Sequence, residues 1–130
     1  MTNIHELLSS WGMVVAYVVL NSFGAIAIKQ TLQGIKVADL TSIKATMHFL
    51  SAVFMSPLAL AGFIAIALSA CAWIVALSRM EISVAYPVAV ALNCLIVVTA
   101  GLALYGEVMN WNKLAGLGLL FCSFFLLFRA

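Results

Sequence analysis

The chain has 130 residues, 66% of them hydrophobic and 8% charged, with a formal net charge of +2. A soluble domain is about half apolar and about a quarter charged, and a monomer of this size leaves too much area in water to hide so many apolar side chains. The composition therefore excludes an ordinary soluble domain, and the net charge is too small to suggest a nucleic-acid partner.

Charge-free runs mark the membrane spans. No Asp, Glu, Lys or Arg occurs from Leu7 to Ile28, from Ala45 to Ser78, from Ile82 to Gly106, or from Leu114 to Phe128. A span takes about 20 mainly apolar residues at about 1.5 Å each. The first predicted span covers 11–28, holds Asn21, Ser22 and Gly24, and ends at Lys29; Gly34 then marks a turn. Trp11 opens this span directly, with no small-residue cleavage site before a mature domain, so no signal peptide is expected.

The next segment, 39–55, differs in character. Leu40, Ile43, Met47, Leu50 and Phe54 recur at offsets of three and four, while Thr41, Lys44, His48 and Ser51 lie mostly off that stripe. The pattern predicts an amphipathic helix in the interface plane, capped by Asp39 or Thr41, or else an early start to the second span. Ser56-Pro57 breaks the chain. The second span covers 57–78 and the third 82–105. The short link Arg79-Met80-Glu81 predicts that these two pack as an antiparallel hairpin. The fourth span, 113–128, is short. Trp11, Tyr105 and Trp111 sit near span ends, as an aromatic belt places them. The expected fold is an all-α integral membrane protein, a single domain over 1–130 with four transmembrane helices and an amphipathic interfacial helix between helices 1 and 2.

The side of the membrane is weakly encoded. Lys29, Lys36, Lys44 and Lys113 fall on one side, and Arg79 and Arg129 on the other. Positive-inside reasoning puts the four lysines in the cytoplasm, with dual insertion left open.

A polar group inside a span is costly and needs an account. Ser22 and Lys29, seven residues apart, share a helix face, with Asn21 beside them. They form either a polar track, with Lys29 drawing an anionic headgroup to the rim, or a set of interhelical hydrogen bonds with a snorkelling lysine. Asn93, mid-span, is expected to bond across helices. Gly24, Gly116 and Gly118 permit close helix approach. Tyr86-Pro87 puts a polar-tipped aromatic beside a kink. Glu107 is a solvated or helix-start charge, or a member of the site. Cys71, Cys94 and Cys122 read as small packing residues, because their spacing suits neither a disulfide nor a metal. No carboxylate pair or His cluster supports enzyme chemistry, and neither metal nor cofactor is expected.

Asn21-Ser22-Phe23-Gly24 leading to Ile28-Lys29, Trp73-Ile74-Val75-Ala76-Leu77, Ala85-Tyr86-Pro87 and Tyr105-Gly106-Glu107 resemble the drug/metabolite transporter superfamily. The length resembles its four-helix small multidrug resistance branch. The long region between the first two spans is most similar to the small subunits of the aminoarabinose–undecaprenyl-phosphate flippase. Proton-coupled multidrug members carry a glutamate eight residues before the lysine, where this chain has Asn21, which cannot titrate. A second departure is Met80-Glu81, where Leu-Pro is common. The resemblance implies a flippase subunit in the bacterial inner membrane, working as a homodimer or a heterodimer with a similar small subunit. Its implied substrate is an undecaprenyl-phosphate-linked sugar. Asn21, Ser22, Lys29, Arg79, Tyr86 and Glu107 are the expected binding residues. Two alternatives stay open: small-molecule or cation efflux coupled through Glu81 or Glu107, and a scaffold subunit that transports nothing.

Overall fold

Five helices form in the computed structural model, which describes residues 4–35 and 41–129; among these there is no strand. They are α1 (Ile4–Gly34), α2 (Ile43–Phe54), α3 (Pro57–Leu77), α4 (Ile82–Tyr105) and α5 (Trp111–Arg129). Lengths and hydropathies qualify α1, α3 and α4 as membrane spans; α2 and α5 are shorter apolar helices. The chain is therefore a multi-pass membrane protein.

At 31 residues, α1 overruns the expected 11–28 at both ends. No proline interrupts it, and Ser10 donates to the Glu6 carbonyl at 2.7 Å within the first turns. Glu6 in the first turn also suits the positive end of the helix dipole. Helix continues wherever the backbone finds its bonds, whether or not the side chains suit lipid.

The start of α2 is corrected too. Ser42 holds the N-cap position with extended backbone and no side-chain cap bond, so Thr41 is not the cap. Lys36, Asp39 and Leu40 lie outside the described residues. The expected apolar stripe faces outward: Ile43, Met47 and Leu50 are exposed, while Val53 is buried. Val53, which is not part of that stripe, lies on the face turned inward. Phe54 reaches α3 and stacks on Phe63 at 5.0 Å between ring centroids. Ser56-Pro57 does end this segment, with Ser56 as N-cap and Pro57 as the first residue of α3.

Despite the short link, α3 does not pair chiefly with α4. It lies along α1, while α3 and α4 barely touch. The reason is a stripe of small residues. Ala59, Gly62, Ala65, Ser69 and Ala76 are buried on α3 at helical spacing, so α1 can come close. A Cβ added to Gly24 would stand 2.6 Å from the Gly62 carbonyl oxygen, and one added to Gly62 would stand 2.9 Å from that of Gly24. The backbones therefore touch where these glycines cross. Nearer the other end, Val14 and Val18 of α1 meet Ala76 and Ala89 in the core, with Tyr17 and Trp73 rings 4.7 Å apart beside them.

Helix α5 leans chiefly on α4 and leaves most of its surface exposed. A Cβ at Gly116 or Gly118 would meet nothing within 4 Å, so neither mediates close approach within the chain. Cys71 and Cys122 are exposed rather than packed inside. Pro87 stands inside α4 and cannot donate to the Ser83 carbonyl. A small cavity of about 140 Å³ opens there between Ser83, Val84 and Pro87 on α4 and Phe124 and Leu127 on α5.

Candidate functional site

A cavity of about 440 Å³ lies between α1, α4 and α5. Its body is aliphatic, with Ile26 from α1, Val97, Val98 and Leu102 from α4, and Leu117 and Leu120 from α5. Its mouth is ionic. Lys29, in the C-terminal part of α1, pairs with the Oε1 atom of Glu107 in the α4–α5 link, and Lys113 on α5 approaches Oε2 at 3.5 Å. The Lys29 ammonium also sits 4.5 Å from the centre of the Tyr105 ring, a cation–π contact worth about 0.5–1 kcal/mol at an accessible site. The Tyr105 hydroxyl donates to the Ile26 carbonyl at 2.9 Å and ties the end of α4 to α1.

Two glycines seat Glu107. Gly106 closes α4 in the left-handed conformation (φ 61°), which side-chain-bearing residues resist. That turn lets the Glu107 N–H donate to the Gly101 carbonyl at 3.1 Å. Gly101 leaves the space that the carboxylate fills, since a Cβ there would stand 2.9 Å from Oε2. The hydrogen bond from Lys29 and its charge, reinforced by Lys113, hold the Glu107 carboxyl below the usual carboxylate range. A lowered pKa means the folded state favours the ionised form. The support it gives is present above the ordinary carboxylate value and fades as pH falls through the lowered one. A carboxyl-carbon NMR titration of Glu107 is expected to show a midpoint below the ordinary glutamate range. A midpoint at or above that range would contradict the pairing.

The expected site residues divide between two ends of the molecule. Lys29 and Glu107 meet, although 78 residues apart in sequence. Glu107 is thus not a lone solvated charge. Ser22 is buried and donates to Asn93, the interhelical bond expected of Asn93. Asn21 is half-buried on the α1 face of Gly24 and Ile28, which meets α3, and it does not line the cavity. Arg79 donates to Ser9 at 3.0 Å, about 30 Å along α1 from Lys29. Tyr86 stands edge-on to Trp73 at 6.1 Å, at the start of α4, about 28 Å along that helix from Tyr105. Arg79 and Tyr86 are therefore not part of this cavity. Gly116 lines it. Sequence reasoning missed Lys113, Tyr105 and Gly101 as site residues. In the sequence Lys113 bears on topology alone; its place shortly after Glu107, beyond the link, is the signal that puts it near the site.

Comparison with known proteins gives an informative relative. The chain is 38% identical over 107 residues to the probable 4-amino-4-deoxy-L-arabinose-phosphoundecaprenol flippase subunit ArnF of Erwinia tasmaniensis. The match covers 78% of this chain and 84% of that protein. No family model matches the chain, and no solved structure does. With most of both sequences aligned at this identity, and with the apolar helices a flippase requires, the resemblance read from the short motifs holds. The chain belongs to the family of ArnF-type flippase subunits.

Proposed function

We propose that this chain is a subunit that carries a polyprenyl-phosphate-linked sugar across the bacterial inner membrane, and that its phosphate engages Lys29 and Lys113. The observation that supports the reading most is the pairing of an aliphatic cavity with a mouth holding two ammonium groups. A polyprenyl tail is at home among aliphatic walls and lipid, whereas a phosphate needs cations wherever it leaves water. Lysine suits a moving phosphate, because a point charge on a flexible stem follows rather than clamps. The name of the ArnF relative supports the same substrate class. Asn21, on the face of α1 that meets α3, lies off this path.

In this reading α5 is the fourth span and α2 lies at the interface, its exposed Ile43, Met47 and Leu50 among lipid tails. A second small subunit, identical or similar, covers the exposed face of α5, with Gly118, which does not line the cavity, permitting close approach. Export of drug cations fits less well. Glu107 is the carboxylate at this cavity, and two lysines already engage it.

The test uses proteoliposomes with a polyprenyl-phosphate aminosugar in both leaflets. A membrane-impermeant amine reagent labels only the outer headgroups unless lipid crosses. With the protein present, labelling is expected to run to completion at a rate well above that of empty vesicles. Equal rates with folded protein remove the proposal. A cysteine placed at Leu119 in the same vesicles is expected to cross-link two subunits; persistent monomers would remove the paired arrangement.

A further inference from the structure

We infer that Glu107 reads a positive charge on the headgroup, so that the mouth selects lipids bearing both a phosphate and an amine over lipids bearing a phosphate alone. This rests on the proposed function and adds a specificity-determining residue to it.

The inference starts from how Glu107 is held. Its two carboxylate oxygens face two different lysines, Lys29 and Lys113. The carboxylate thus occupies the place between two cations that a phosphate would take. It is also tethered. The left-handed turn at Gly106 and the bond from the Glu107 N–H to Gly101 fix its backbone, and the missing side chain at Gly101 leaves it a seat. When a phosphate enters between the lysines, the carboxylate loses its partners but remains beside the mouth.

Charge accounting then decides which headgroups fit. Among the described residues lining the cavity, Lys29, Lys113 and Glu107 carry the charge, and the rest are uncharged. A headgroup with phosphate alone leaves Glu107 facing a like charge where water is partly excluded, and such repulsion exceeds its value in bulk water. A headgroup that also carries an ammonium, one sugar ring away from its phosphate, supplies a partner to the displaced carboxylate. Every charge then has an opposite neighbour: phosphate on the lysines, ammonium on Glu107. Discrimination comes from the repulsive case as much as from the attractive one.

The test changes the ligand first, so it does not depend on a variant folding. Binding is measured for the full chain in lipid nanodiscs. The probes are a short-chain polyprenyl phosphate carrying a 4-amino pentose and its N-acetylated derivative, which keeps the phosphate and loses the positive charge. The wild type is expected to bind the amine form about tenfold more tightly. Glu107→Gln is expected to bring the ratio close to one, weakening the amine form and strengthening the acetylated form. Glu107→Asp, which keeps the charge on a shorter stem, is expected to lie between. Equal wild-type affinity for both probes, with binding lost in Lys29→Ala, would overturn the inference and leave the proposed function standing. An unchanged preference in folded Glu107→Gln would overturn it as well. Failure of folded wild type to bind either probe would remove the proposed function together with the inference.

Discussion

Lys29→Ala is expected to abolish lipid translocation while insertion and folding persist. The lysine closes the mouth of the aliphatic cavity, where it touches Glu107 and lies over Tyr105. Its side chain is 46% exposed, so its ion pair with Glu107 adds little to stability. Function is another matter. A substrate phosphate leaving bulk water would meet Lys113 alone, with Glu107 still beside it. Where the phosphate is buried against its cations in the complex, loss of one partner costs about 2–5 kcal/mol of binding, which is more than tenfold. Lys29→Arg keeps the charge and is expected to retain part of the rate. The rival view makes Lys29 a membrane anchor only. One turn outward, α1 is still helical and Gln33 is exposed, so the double variant Lys29→Ala with Gln33→Lys restores the anchor but not the mouth. Restored translocation in that double variant supports the anchor. Normal translocation in Lys29→Ala itself would end the phosphate role.

Gly24→Val is expected to be among the most damaging single changes for folding. A Cβ at Gly24 would stand 2.5 Å from the Ile66 side chain and 2.6 Å from the Gly62 carbonyl oxygen. The side chain can turn away, but the carbonyl belongs to the backbone of α3. The two helices must then separate along their closest approach. Overpacking of this kind costs about 1–3 kcal/mol, and valine, with two more carbons, is expected at or above the top of that range. Gly12 lies on the same helix with nothing within 4 Å of its would-be Cβ. Gly12→Ala is therefore expected to be neutral, or to stabilise by about 0.4–1 kcal/mol through reduced freedom of the unfolded chain. Unfolding in mixed micelles compares the two. Equal stability of Gly24→Val and wild type would show that α1 and α3 do not cross as described.

The contrast between these residues shows what sequence reading can and cannot reach. The long spans were legible because lipid excludes charge, and runs without Asp, Glu, Lys or Arg are visible by inspection. The overrun of α1 was not, because hydropathy reports where lipid lies rather than where the backbone stops bonding. Gly24 was legible as a packing glycine, yet its partner Gly62 was not, since a small residue names no neighbour. The short link from Arg79 to Glu81 suggested a pair, but loop length limits how far two helices separate and does not set which faces meet. The small-residue stripe of α3 was turned to α1 instead. Lys29 and Glu107 both stand in the expected binding set, but their ion pair is not legible, because a contact 78 residues apart leaves no local trace. Arg79 and Tyr86 join Lys29 in the expected set through the resemblance, although the four-span topology already puts the Arg79 link on the opposite side from Lys29.

The crossing at Gly24 and Gly62 divides α1 into unequal arms. From Gly24 to Lys29 is about 8 Å of helix, while from Gly24 back to Ile4 is about 30 Å. Were α1 to rock against α3 about that point, the Ile4 end would move roughly four times as far as Lys29. Such a motion would keep Lys29 near Glu107 and would load the Arg79–Ser9 bond at the far end.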